Sequence, residues 1–144
     1  MAQAPQTDWV FDIESKIYTI VKTRLVKALS TTYPKLLVTQ EQKLNDEVQL
    51  PSIYIKMLDS PEIGADLENS NVNAMLVTFE THITVSKDMG LTGLRKISAS
   101  VLEQFKKLRF NMVTRGEIVR ETSDTYKSIA RFRRVIGAGE EINF

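Results

Sequence analysis

The chain has 144 residues, 42% of them apolar and 26% charged, with 19 Lys+Arg against 18 Asp+Glu for a formal charge of +1 and no cysteine. That length fits one domain burying roughly 70% of its unfolded surface, and the composition excludes a disordered chain and a strongly basic nucleic-acid wrapper. Without cysteine there is no disulfide framework, thiolate nucleophile or Cys-ligated zinc or iron–sulfur site, as fits a cytosolic product; Met1–Thr7 is polar with no signal pattern, and no apolar run nears the roughly 18 residues of a membrane span, so the protein is expected to work in water.

From Asp8 to Leu29 the apolar residues Trp9, Ile13, Ile17, Ile20, Val21, Leu25 and Leu29 recur at intervals of three and four. Glu14, Lys16, Lys22 and Lys27 fall mostly elsewhere on the wheel, which predicts an amphipathic helix. Thr7 or Asp8 can cap its first amides, and Ser30, Thr31, Thr32 and the Tyr33-Pro34 pair stop the helix, because a residue before proline is pushed out of the α region. Leu36–Thr39 reads as a short strand and Gln40–Gln49 as loop.

Ser52–Leu58 alternates, with Ile53, Ile55 and Met57 on one face and Tyr54, Lys56 and Leu58 on the other. A longer strand, from about Asn73 to Lys87, sets Met75, Val77, Phe79, Thr81, Ile83 and Val85 against Thr78, Glu80, His82, Thr84 and Ser86. Between them Asp59–Val72, with Pro61, Gly64, Asn69, Ser70 and Asn71, is too long for a hairpin turn and reads as a loop that is either mobile or there to touch something. Asp88, Gly90 and Gly93 break the strand, and Leu94, Ile97, Val101, Leu102, Phe105 and Leu108 trace a second helix ending near Arg109.

Strands follow around Asn111–Glu121, interrupted at Gly116, and over Tyr126–Ile136, joined by the turn-prone Thr122, Ser123 and Asp124. The tail Gly137–Phe144 holds two glycines and few core candidates, and is expected to order only on a partner. This order predicts an α+β fold: a largely antiparallel sheet with two amphipathic helices packed on one face, the other face solvated or against neighbours.

Charge is unevenly spread. Residues 1–50 are neutral, residues 51–90 carry a net −4 and residues 91–144 a net +5. No linker, repeat or low-complexity tract separates these parts, so the polarity lies within one domain.

The inventory for catalysis is poor. The one histidine, His82, sits by alternation beside Glu80 and Thr84 on a polar strand face, with no G-x-S-x-G elbow and no second imidazole, and reads as a solvated or interface histidine. Glu62, Asp66 and Glu68 could loosely ligate calcium, but the calcium-loop signature is absent and a solvated acidic loop is the plainer reading. Gly137-Ala138-Gly139 lacks the rest of a dinucleotide fingerprint, and Gly90-Leu91-Thr92-Gly93 joins a strand to one helix, unlike the G-x-x-G of a KH module. No enzyme activity, cofactor or metal is therefore expected.

The strongest polar feature is basic: Lys106, Lys107 and Arg109 at a helix end, then Arg115, Arg120, Lys127, Arg131, Arg133 and Arg134. The first three suit a helix C-terminus and need no ligand. Arg131 and Arg133 share a strand face with Ile129 and Val135, whereas Arg134 shares the opposite one with Ala130 and Phe132. Arginines on both faces point to an edge strand or an interface, since a guanidinium buried in a core needs a carboxylate.

Taken together, the opening helix from Trp9 to Leu29, Leu50-Pro51-Ser52-Ile53-Tyr54-Ile55, the long strand Val77–Val85, the helix through Leu102 and Phe105 and the closing strand with Phe132 and Arg133 resemble the tail terminator, or tail-completion, proteins of long-tailed bacteriophages. The resemblance is one of layout over nearly the whole chain. It implies a virion protein assembled in the host cytoplasm, a hexameric ring of copies of itself that caps the tail tube, meets the head connector or neck protein, and lets genomic DNA through its lumen without sequence-specific binding.

A ring uses two different patches of each subunit. The expected pairing sets the acidic middle of one subunit (Asp59, Glu62, Asp66, Glu68) against the basic third of the next (Arg115, Arg120, Arg131, Arg133, Arg134). Two other readings stand beside it: another neck or head-completion protein of the same particle, and a small nucleic-acid-binding protein using Lys106 to Arg134.

Overall fold

A computed structural model describes residues 9–40, 50–58, 62–63, 74–114, 118–122 and 124–137. Two helices and seven strands form one α+β layer pair: α1 (Trp9–Leu29), β1 (Leu37–Thr39), β2 (Ser52–Met57), β3 (Glu62–Ile63), β4 (Ala74–Ser86), α2 (Gly90–Lys107), β5 (Asn111–Thr114), β6 (Ile118–Thr122) and β7 (Thr125–Gly137).

The sheet runs β1-β2-β4-β7-β5, with β3 on β4 beyond the end of β2 and β6 on β7 beyond β5. All pairings are antiparallel except β1 with β2, which is parallel. Both long strands pair along their whole length, from Ala74 opposite Gly137 to Ser86 opposite Thr125.

The expected facing of β4 is what the structure has. Met75, Val77, Phe79, Thr81, Ile83 and Val85 are all buried beneath the helices. On α1 the buried stripe is Ile13, Ile17, Ile20, Val21, Leu25 and Leu29, with Lys16, Lys22 and Lys27 outside; the Trp9 side chain and the caps Thr7 and Asp8 lie outside the described residues. The Tyr18 hydroxyl donates to the Val38 carbonyl at 3.3 Å and so ties α1 to β1.

Four phenylalanines close the centre. Phe105 of α2 stacks on Phe132 of β7 at 4.5 Å, and Phe110 meets both Phe105 and Phe79 edge-on at 5.4 and 5.8 Å. Phe110 arrives there through the way α2 ends. Arg109 takes a left-handed conformation (φ 66°), its amide donates to the Lys106 carbonyl and that of Phe110 to the Phe105 carbonyl. This is a Schellman closure, and the Phe105–Phe110 contact is the apolar pair that accompanies it.

Three expectations need correcting or limiting. Glu62–Ile63, read as loop, pairs with Met75 and Ala74, because β4 runs past the end of β2 and leaves that stretch of its edge open to pairing. β7 is not an edge strand over residues 125–133, being flanked by β4 on one side and by β5 and β6 on the other. Residues 41–49, 59–61, 64–73, 115–117, 123 and 138–144 lie outside the described residues, and with them most of the Gln40–Gln49 and Asp59–Val72 loops, Gly116, Ser123 and the end of the tail.

Candidate functional site

Both helices pack on one face of the sheet, so the alternate residues of β2, β4 and β7 form a face that no described element covers. Antiparallel register decides what meets there. One row across the strands is Lys56, Glu80, Arg131; the next is Tyr54, His82, Ile129; and on the other side of the first, Thr78 stands opposite Arg133.

Glu80 is the hub. It is 6% exposed, with Arg131 Nε donating to Oε2 at 2.8 Å, His82 Nε2 at 2.5 Å from Oε1, and Lys56 Nζ at 3.7 Å from the same oxygen. Burial by itself pushes its carboxyl up, but the hydrogen bonds and charges of His82 and Arg131 outweigh that and hold it below the usual glutamate range. A carboxylate at this position is therefore an anchor for cations and remains ionised near neutrality.

His82 is half-buried on the open face, its side chain 15% exposed. Glu80 holds Nε2, Nδ1 is buried with no hydrogen-bond partner among the described residues, and the ring leans on Tyr54 at 5.4 Å between centroids. Its geometry makes it a link between Glu80 and the β2 side of the face.

The candidate residues divide. Arg131 and Arg133 lie together on the open face, as alternation requires, and line a shallow depression with Lys56, Leu58, Thr78 and Val113. Thr78, the short side chain between longer neighbours, lies between Leu58, whose amide donates to the Thr78 carbonyl at 2.8 Å, and Arg133 opposite. Arg131 is half-exposed and held through Nε, while Arg133 is exposed with no ion pair among the described residues.

Arg134 faces the helices, where its Nη1 donates to the Leu108 carbonyl at 2.9 Å. A carbonyl at a helix end, with the partial negative charge it carries, gives this inward arginine one anchor. Arginines on both faces of β7 thus have two separate anchors, and the edge explanation falls away. The side chains of Glu62 in β3 and Arg120 in β6 are not described, and Asp59, Asp66, Glu68 and Arg115 lie outside the described residues.

Sequence reasoning missed Glu80 and Lys56 as the partners of Arg131, and Val113 as part of the site. A glutamate inside an otherwise β-favouring thirteen-residue strand was the available signal, since glutamate is depleted in strands unless something holds it. Exposed apolar side chains border the network: Ile129, Val113 at 46% and Val135 at 51%. Such a face, charged at its centre and apolar at its margins, can bind a complementary surface by ion pairing and burial together.

Among the described residues no helix is long and apolar enough to cross a membrane. Compared with protein-family models and with curated proteins, the chain finds no match in either.

Proposed function

We propose that the chain is a virion assembly protein of the tail-terminator kind: a ring-forming subunit that ends tail-tube growth and offers a docking surface to the head connector or neck protein, with genomic DNA passing through the lumen. The observation that carries this reading is a sheet face that no described element covers, with Arg133, which has no ion pair among the described residues, and exposed Ile129, Val113 and Val135 around it. A subunit of a closed assembly covers apolar side chains and a cation on such a face with its neighbour. The element order and the α+β fold, with both helices on one face, agree with the layout on which the resemblance rests. The uneven charge supports a heterologous, direction-setting contact between subunits.

Electron microscopy of tail tubes incubated with gold-labelled chain tests the reading. Label at one end of each tube, with tubes that no longer lengthen, is the expected result. Tubes that carry no label, or carry it along their whole length, would overturn it; duplex-DNA binding by the free chain that collapses steeply with salt would favour the nucleic-acid reading instead.

A further inference from the structure

We infer that the depression at Arg131 and Arg133 is a receptor for the acidic tail, residues 138–144, of a second copy of this chain. The site and the segment match in charge and in character. Lys56, Arg131 and Arg133 against the single carboxylate of Glu80 leave the depression with a net charge of +2. The tail carries Glu140 and Glu141 with no lysine or arginine, followed by Ile142 and Phe144.

Arg131 is well suited to receive an anion. Glu80 takes its Nε, which fixes the side chain while the other four N–H donors of the guanidinium keep no partner among the described residues. Arg133 stands two residues on along the same face, with Leu58 and Val113 of the same depression available to apolar groups. Two carboxylates followed by two apolar side chains is the pattern this surface accepts.

Register assigns the tail to a second copy. Gly137 closes β7 four residues past Arg133 and six past Arg131. If the chain doubled back on itself with the shortest hairpin turn, at Ala138 and Gly139, Glu140 would stand opposite Gly137, Ile142 opposite Val135 and Phe144 opposite Arg133. The apolar residues would then lie toward the arginines and the acids away from them, and a longer turn moves the acids farther still. A tail arriving from another molecule has no such constraint. The acidic middle of the chain is the weaker occupant, because Glu62–Ile63 pairs with its own β4 five residues after β2 ends at Met57.

The contact is heterologous, tail into depression, and so it can propagate to a ring. It shares with the proposed function only the self-contact: a chain that binds its own tail yet never caps a tube keeps this inference and loses that one.

Sedimentation equilibrium of the full chain over a range of concentrations tests it, using two charge-reversed proteins, R133E and the double variant E140K/E141K. Arg133 is exposed, and circular dichroism is used to check that each variant folds. Wild type is expected to self-associate, each variant to do so about tenfold more weakly or less, and an equimolar mixture of the two to form a dimer, since one supplies an intact depression and the other an intact tail. A wild type that stays monomeric throughout, an E140K/E141K protein that associates like wild type, or a mixture that shows no recovery would overturn the inference. Association abolished only by reversing Asp59, Asp66 and Glu68 would transfer the depression to the acidic middle and overturn it equally.

Discussion

Strands β2, β4 and β7 carry two faces made from alternate residues of the same chain, and different physics holds each together. Beneath the helices, Phe79, Phe105, Phe110 and Phe132 are at most 1% exposed and are joined by ring packing alone. On the other side, the same cross-strand spacing joins Lys56, Glu80 and Arg131 by charge, with His82 alongside. The phenylalanine cluster of the covered face carries no ionisable group. The open face keeps cations in place at the surface, which is useful to a binding site and of modest value to stability. A sheet with one face of each kind folds through the first and is free to recognise through the second.

The sharpest way to break the covered face is Phe105→Ala, which removes the ring that Phe132 stacks on and Phe110 meets edge-on. A loss of about 3–5 kcal/mol is expected in urea unfolding at any pH. Glu80→Gln makes the matching cut on the open face: shape is kept, the charge that holds Arg131 and His82 is lost, and about 2 kcal/mol should go with it at neutral pH. The two faces should differ in their response to acid. Glu80 titrates lower in the folded chain than its ordinary value of 4.5, so its contribution is present above that value and is lost as pH falls through the folded one. The gap between wild type and E80Q is therefore expected to shrink as pH falls below 4.5, while that for F105A stays.

Two smaller changes sharpen the comparison. Arg109 occupies the left-handed position that delivers Phe110 to the aromatic cluster, so Arg109→Gly should raise stability by about 0.5–1 kcal/mol, read as a higher urea midpoint. A drop would show that the Arg109 side chain has a packing role. Lys107→Ala removes an exposed pair with Glu103 on α2, 3.4 Å apart with both side chains more than half exposed. An effect of about 0.3 kcal/mol, vanishing in high salt, sets the baseline against which the partly buried Glu80 network is judged.

Most of the fold was legible because its periodicities are strong. The α1 stripe from Ile13 to Leu29 and the alternation from Met75 to Val85 each repeat long enough to define both the element and its inward face. Glu62–Ile63 was not legible, since a two-residue pairing has no period and exists only because β4 outruns β2. The site was legible in part. Arg131 and Arg133 were placed on one face by alternation, but the partner that fixes Arg131 is 51 residues away in the chain, and alternation carries no information about which strands adjoin.

Local patterning by itself determined the α+β class, the two helices, the long strands and which residues of β4 share a face, because side-chain spacing along a helix or strand is a property of the backbone. Tertiary structure alone decided that β7 adjoins β4 in the register that sets Arg131 on Glu80, and that Arg134 finds the Leu108 carbonyl. Those outcomes depend on how distant segments pack around one shared core, where the register that buries Phe79 against Phe132 also fixes every pair on the opposite face.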